Sequence, residues 1–297
     1  MAQAPETRTP GRLSKAALAC GLVGITTAAA LSALWVFRAP LAGWALDQYF
    51  EGRSVPASFD VKAVGFGGIT LESLDLGPDA RAERAQAILR WGIGGPRLSG
   101  LVLHGVQAQG RLDENGLSLG ALDRLRSEPG GEAFTIPAMS VDFRDVTVQL
   151  DTPQGLLTAD LAAQGALRGA LQGALAVRFF PLEGEVSAAT AALAGDAAGL
   201  RAAITPQAGS AVTLSGTAFA PWDLAGLEAD LAAETARFAG FGIMAETVAA
   251  TVSYRGRLPL AGSEEPFGTA QARFQARRLG AGPVALTEAV LETTAPL

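Results

Sequence analysis

Short segments of alternating apolar and polar residues make up most of the sequence after residue 54, and this alternation constrains the fold more than any other feature. Examples are residues 59–64, residues 69–71 and residues 74–76. Because successive side chains of a β-strand point to opposite faces, the alternation predicts strands with one apolar and one polar face. The sequence therefore predicts a mostly β fold for residues 54–297.

The alternation shifts by one residue at the same point of three segments. Apolar residues stand at offsets of two, five and seven in each of them, namely Ile69, Leu71, Leu74 and Leu76; Leu101, Leu103, Val106 and Ala108; and Val141, Phe143, Val146 and Val148. Such a slip predicts a bulge or a bend in the strand. Its recurrence favours a repeating β architecture over one irregular domain.

Turn-forming residues separate the predicted strands. We expect hairpin turns at Asp113-Glu114-Asn115-Gly116, Thr152-Pro153-Gln154-Gly155 and Thr205-Pro206-Gln207-Ala208-Gly209, and further turns at the glycine-rich residues 65–68 and 92–95. Residues 121–126 are predicted to form a short helix that ends before Pro129. Residues 186–204 and 224–238 are rich in alanine, which favours helix, but the alternation in the second segment favours strand, and strand is predicted for both.

The N-terminal region has the pattern of a membrane anchor. Residues 16–36 carry no charge, and a helix of that length reaches about 31 Å, close to the hydrocarbon thickness of a bilayer. Arg8, Arg12 and Lys15 precede the run, so residues 1–15 are predicted to be cytoplasmic and the rest of the chain to lie outside the cytoplasm. We assign residues 16–37 to the anchor. Residues 38–53 are predicted to form an interfacial helix on the outer surface of the bilayer.

A cleaved signal peptide and a lipoprotein are the two alternatives to the anchor. A cleaved signal peptide would use Ala28-Ala29-Ala30 as its cleavage box, but the apolar run continues to Phe37, which favours retention. A lipoprotein would use Cys20, but Ala17 stands where a large aliphatic residue is required. The lipoprotein is therefore rejected.

Composition argues against several classes of function. The net charge is −6 and no basic patch occurs beyond the N-terminus, so no nucleic-acid partner is predicted. With one histidine and one cysteine, no metal or cofactor site is predicted. Gly116-Leu117-Ser118-Leu119-Gly120 has the form of a nucleophile elbow, but the only histidine, His104, precedes Ser118, whereas that fold requires it afterwards. The chain is predicted not to be an enzyme.

Several segments resemble a known family of envelope proteins. The basic N-terminus, the anchor and Ile69-Thr70-Leu71-Glu72-Ser73-Leu74-Asp75-Leu76-Gly77 resemble the opening of AsmA-like proteins, most closely the YdbH family, with TamB-like proteins as more distant relatives. Residues 98–106 and 116–123 also resemble that family, and the likeness extends over the anchor and residues 54–150.

The resemblance implies an elongated, curved antiparallel β-groove with short helices, held in the inner membrane with its bulk in the periplasm. It implies transport of phospholipid between the inner and outer membranes, with an outer-membrane protein as a further partner. Family members are longer than this chain, so residues 54–297 are expected to be part of a longer protein.

The alternation supplies candidates for the groove lining. If the sheet has one layer, its apolar face is free for acyl chains, and some fifteen strands would extend roughly 70 Å. The predicted lining residues are Ile69, Leu71, Val141, Phe143, Val146, Val148 and Leu150. In the alternative they pack in an ordinary closed core. Besides lipid transport, the sequence allows a non-catalytic envelope scaffold or outer-membrane assembly factor.

Overall fold

A computed structural model describes residues 38–93, 95–113, 116–125, 136–182, 185–224, 226–240, 243–257, 268–281 and 284–296. The predicted anchor, residues 16–37, lies outside these residues. None of the helices that the structure describes is long and apolar enough to span a bilayer.

The described part of the chain forms fifteen strands and two short helices, which confirms the mostly β prediction. In chain order they are α1 (Arg38–Glu51), β1 (Ser58–Gly65), β2 (Gly68–Asp75), β3 (Ala80–Gly92), β4 (Gly95–Asp113), β5 (Gly116–Ser118), α2 (Ala121–Arg124), β6 (Ser140–Thr152), β7 (Gly155–Ala166), β8 (Leu171–Pro181), β9 (Ser187–Gly195), β10 (Gly199–Pro206), β11 (Thr213–Pro221), β12 (Leu227–Gly240), β13 (Ile243–Gly256), β14 (Gly268–Ala281) and β15 (Val284–Pro296).

All strands belong to one open sheet. Fourteen of them stack in chain order, while β5 stands off that path and pairs only with the end of β4. Neighbours are antiparallel except for β4 and β6, which run parallel from the pair Gly100 and Ser140 to the pair Arg111 and Asp151. The expectation of a purely antiparallel sheet is therefore wrong at this pair. The connection between them returns the chain to the end at which β4 began, so β6 starts in the same direction.

The predicted turns and the two ambiguous segments agree with this topology. Gly65 pairs with Gly68, Gly92 with Gly95, and Asp113 with Gly116, so each of these turns closes a hairpin. Thr152 likewise pairs with Gly155, and the turn after Pro206 joins β10 to β11. The alanine-rich residues form β9, β10 and β12, so strand was the correct prediction for both segments.

The predicted kinks are present and occur in more strands than the sequence analysis identified. A residue with positive φ lies in the middle of five strands, namely Ser73, Gly105, Asp145, Thr247 and Glu288, with φ between 51° and 60°. Each lies between two apolar residues that are three positions apart, such as Leu103 and Val106. Ser73, Gly105 and Asp145 lie at neighbouring positions of β2, β4 and β6, so the kinks form a row across the sheet.

The helix α1 lies along the edge strand β1 and covers one part of the sheet. A Cβ atom placed on Gly43 would lie 3.6 Å from Val61 Cγ2, and the ring centroids of Phe50 and Phe59 are 5.9 Å apart. The side chain of Arg124 in α2 donates a hydrogen bond to the carbonyl oxygen of Ser54 (2.7 Å), which links α2 to the turn that follows α1. The existence of a helix at residues 38–51 agrees with the sequence pattern, while its position on a membrane stays a prediction.

The kink at Gly105 generates a prediction about stability. Gly105 has φ +60°, and a Cβ at this position would lie 2.5 Å from Cγ and Cδ of Glu83. We expect Gly105→Ala to lower the free energy of unfolding by about 1–2 kcal/mol, because L-residues are strained in this region. Gly65→Ala is the matched control, since nothing lies within 4 Å of a Cβ there and its φ is ordinary. Urea unfolding midpoints compare the two, and equal midpoints would contradict a strained kink.

Candidate functional site: an apolar face that crosses the whole sheet

One face of the sheet is apolar from the first strand to the last. Residues paired across neighbouring strands share a face, so one row can be followed through the fourteen stacked strands. That row consists of Val61, Leu71, Ala85, Leu103, Phe143, Ala163, Gly173, Leu193, Ala202, Ala218, Ala229, Tyr254, Ala270 and Ala295. We call the surface that contains this row the apolar face. It extends about 60 Å in the stacking direction at the usual strand spacing.

All seven predicted lining residues lie on the apolar face. Ile69 and Leu71 are on β2, and Val141, Phe143, Val146, Val148 and Leu150 are on β6 in register with β4 and β7. The structure therefore brings them together on one surface, and their contact with lipid stays a prediction. The sequence analysis did not identify the lining on β8–β15, where the spacing across the kink recurs as Ala245 and Val248 and as Leu286 and Ala289.

Many side chains of the apolar face are buried although no second sheet covers them in the described part of the chain. Val141 and Leu171 are each 4% exposed, and Leu193 is 8% exposed. Some Cα atoms of β9 and β11 lie within 8 Å of each other. Strands two apart in a flat sheet are separated by about 9.5 Å, so the sheet departs from flatness here.

The two helices cover one margin of the apolar face. Phe50 and Leu46 of α1 and Ala121, Leu122 and Leu125 at α2 pack with residues of the sheet, namely Phe59, Leu74, Leu76, Ala80, Ala108 and Val148. Val148 is therefore in contact with this cluster, and the open part of the apolar face begins beyond it. A hollow of about 590 Å³ lies beside this margin, lined by Leu112, Leu157 and Phe179 with the turn at residues 152–154.

A second contact lies at the opposite ends of the strands. The backbone N–H of Ile136 donates to the carbonyl oxygen of Trp222 (3.1 Å), and the N–H of Leu167 donates to Met139 (2.9 Å). Trp222 is 4% exposed, and its indole N–H donates to the carbonyl oxygen of Asp196 (2.8 Å). Residues 136–139 thus connect the start of β6 with the end of β11. A chain of four residues spans at most about 14 Å, whereas five flat strand spacings measure about 24 Å.

The opposite surface, which we call the polar face, carries ion pairs between and along strands. Asp160 accepts hydrogen bonds from Thr147 (2.7 Å) and Arg178 (2.8 Å). Asp230 accepts from Ser253 (2.6 Å) and Arg255 (2.8 Å). These groups are exposed, so each pair contributes little to stability. Together they keep this face hydrated and distinguish it from the apolar face.

Two carboxylates of the polar face have shifted pKa values. The hydrogen bond from Arg144 lowers the pKa of Asp142, and the positive charge of the same guanidinium group adds to the effect. The hydrogen bond from Arg255, followed by that from Ser253, lowers the pKa of Asp230. Both shifts arise from neighbouring cations and hydrogen-bond donors, which favour the charged carboxylate.

The residues considered for catalysis are far apart. Ser118 pairs with Arg111 near the end of β4, seven residues from His104 on the same strand, which places them about 23 Å apart. The Ser118 hydroxyl donates to Asp123 (2.8 Å), and Asp123 also accepts from the N–H of Leu119, so Ser118 helps to fix the start of α2. Within the described residues no group of histidine, cysteine and carboxylate side chains could hold a metal ion.

Fold and site together define an elongated single-sheet β protein with one apolar and one charged surface. The family model described as YdbH-like, intermembrane phospholipid transport protein YdbH, matches residues 27–297, and the chain belongs to this family. This confirms the resemblance to the YdbH family. Comparisons with the curated proteins and with the solved structures found no significant match.

The ion pair at Asp230 predicts a pH dependence of stability. Its folded pKa is below the ordinary value of 3.8, so the carboxylate stabilises the fold above that value and the stabilisation is lost as the pH falls through the lowered pKa. We expect Asp230→Asn to be less stable than the wild type at neutral pH, with the difference shrinking below about pH 4. Urea midpoints over a pH series measure this.

The control is Glu234→Gln on the same strand, because the Glu234 side chain forms no ion pair with any of the described residues. Its midpoint should stay close to that of the wild type throughout the pH series. A difference for Asp230→Asn that is independent of pH would contradict the assignment of the stabilisation to the charged carboxylate.

Proposed function

We propose that the chain is an inner-membrane-anchored periplasmic protein whose sheet curls around its apolar face into a groove that carries phospholipid between the inner and outer membranes. The observation that carries the proposal is the unbroken apolar row through all fourteen stacked strands, opposite a charged surface. Membership of a family described by intermembrane phospholipid transport supports the substrate class.

The curl into a groove is supported by three independent features of the sheet. Mid-strand kinks bend strands and increase their twist, and the kinks of β2, β4 and β6 lie at the same level of the sheet. Apolar side chains such as Leu171 are buried without a covering layer, as expected where a sheet closes over its own face. The hydrogen bond between Ile136 and Trp222 joins strand ends that a flat sheet would keep apart.

A phospholipid fits such a surface because its two parts prefer different surroundings. Each methylene of an acyl chain gains about 0.8 kcal/mol when it leaves water, so the tails favour the apolar face. The headgroup keeps its hydration only if it points away from the face through the opening of the groove. Beyond β7 the central row of the apolar face is mostly alanine and glycine, so these small side chains leave room for the tails.

The anchoring part of the proposal rests on the sequence and on α1. Residues 16–36 are uncharged and follow three basic residues, and α1 begins directly afterwards. Leu41 and Trp44 of α1 are 47% and 65% exposed on the side turned away from the sheet. Exposed apolar and aromatic residues next to an anchor suit the interface of a bilayer.

A pair of neighbouring alanines on β10 tests the groove. Ala202 lies on the apolar face, paired with Leu193 and Ala218, whereas Ala203 lies on the polar face, paired with Ala192 and Thr217. We expect Ala202→Glu to reduce the phospholipid that co-purifies with the full chain at least about tenfold, because a charge in an apolar site is costly. Ala203→Glu should leave it unchanged. Lipid extraction followed by mass spectrometry, normalised to protein, measures both.

Ala202→Val keeps the face apolar and is the control for a loss of lipid that is caused by any larger side chain at this position. Retained lipid in Ala202→Val and loss only in Ala202→Glu support the groove. Equal lipid in the two glutamate variants would contradict it and favour the alternative of an envelope scaffold that carries no lipid.

A further inference from the structure

Two neighbouring hairpin tips expose large apolar side chains. The β1–β2 tip contains Phe66, which is 67% exposed, and the β3–β4 tip contains Trp91 and Ile93, which are 55% and fully exposed. The Phe66 and Trp91 rings meet edge to face at 5.9 Å, and the Trp91 indole N–H donates to the carbonyl oxygen of Phe66 (2.6 Å). The ring contact and the hydrogen bond join the two tips into one unit, although their large apolar side chains stay exposed.

Two arginines stand beside these apolar residues. Arg90 and Arg97 are directly paired across β3 and β4, one step from the pair Trp91 and Pro96. Both side chains are exposed, and neither pairs with a carboxylate within the described part of the chain. Exposed aromatic residues next to arginines match the chemistry of an anionic bilayer surface, which offers a headgroup layer for the rings and negative charge for the guanidinium groups.

The direction of α1 relates these tips to the predicted anchor. Gly43 lies beside Val61 and Phe50 beside Phe59, so α1 runs antiparallel to β1. The start of α1 at Arg38 is therefore directed toward the end of β1 at which Phe66 lies. The proposed anchor, residues 16–37, joins α1 at Arg38 in the sequence, and this start of α1 is on the same side of the sheet as the tips.

We propose that Phe66, Trp91 and Ile93 insert into the anionic surface of the bilayer that holds the anchor, and that Arg90 and Arg97 bind its headgroups. This inference rests on the proposed anchoring and adds a second attachment to it. One helix alone leaves the sheet free to pivot about residue 38, whereas a second contact holds the first strands of the groove against the membrane. Lipid then enters the apolar face directly from the bilayer surface.

Fluorescence quenching of a label at position 93 tests the inference in the full chain. The Ile93→Cys variant, in a Cys20→Ser background, is labelled with a polarity-sensitive fluorophore and reconstituted into liposomes that contain phosphatidylglycerol and a spin-labelled lipid quencher. The matched control is Leu182→Cys, because Leu182 is 78% exposed and lies at the opposite strand ends. We expect a blue shift and quenching at position 93 and neither at position 182.

The outcomes separate this inference from the anchoring on which it depends. Removal of the chain from liposomes by alkaline carbonate would overturn both the anchor and the insertion of the tips. A chain that resists carbonate but has equal quenching at positions 93 and 182 would overturn the insertion alone.

Removal of the two arginines tests the anionic partner. We expect each of Arg90→Gln and Arg97→Gln to lower the ratio of inserted to free tips about fivefold in liposomes with phosphatidylglycerol. In liposomes of phosphatidylcholine alone the variants should match the parent chain. Arg201→Gln, on β10 far from the tips, is the control. If a variant that carries both Arg90→Gln and Arg97→Gln has unchanged quenching in liposomes with phosphatidylglycerol, an anionic bilayer is not the partner.

Discussion

An apolar sheet face about 60 Å long must be hidden from water, and the rest of this structure follows from that requirement. Monomeric soluble proteins rarely expose contiguous apolar patches beyond a few hundred Å². In the described part of this chain no second sheet covers the apolar face. The helices α1 and α2 cover one margin, and Trp222 with residues 136–139 joins strand ends at the other. The rest of the apolar face is shielded by the curl of the sheet and, in the proposed function, by the acyl chains of lipids.

The choice of side chains suits this arrangement. Alanine and glycine occupy most positions of the central row beyond β7, so the face is apolar but its residues are small. A closed sandwich needs large side chains to fill the space between its layers. Small residues along a single layer instead leave an unfilled volume next to the sheet. On the other surface, pairs such as Asp230 with Arg255 keep the sheet hydrated, so only one face is available to an apolar ligand.

The sequence predicted the strands, the turns and the face because each depends on local rules. Period-two alternation assigned Leu71, Phe143 and Val146 to one surface of the sheet, and the three-residue spacing located the kinks. The parallel pairing of β4 with β6 was missed because pairing direction depends on how a long connection returns, which local patterns do not encode. The contact between Ile136 and Trp222 was missed for the same reason, since the two residues are 86 positions apart in the sequence and only the assembled sheet brings them together.

The hairpin tips show a different limit of sequence analysis. The glycines at residues 65–68 and 92–95 correctly predicted turns, but nothing in the sequence pattern assigned a role to Phe66 and Ile93 within them. Only the antiparallel order of β1 to β4 places both tips together, with Arg90 and Arg97 beside them. Pairing of separate turns in space depends on the register of the sheet, and the sequence fixes that register only through many weak preferences.

The central claim is that the apolar face carries phospholipid, and photo-crosslinking in cells tests it most directly. Val252 lies on the apolar face of β13 and is 37% exposed, while the neighbouring exposed residue Thr251 lies on the polar face, so the two positions differ in face rather than in access. A photoreactive amino acid is placed at each in cells with labelled phospholipid. We expect lipid adducts at position 252 and none at position 251. Absence of adducts at position 252, or equal adducts at both positions, would contradict it.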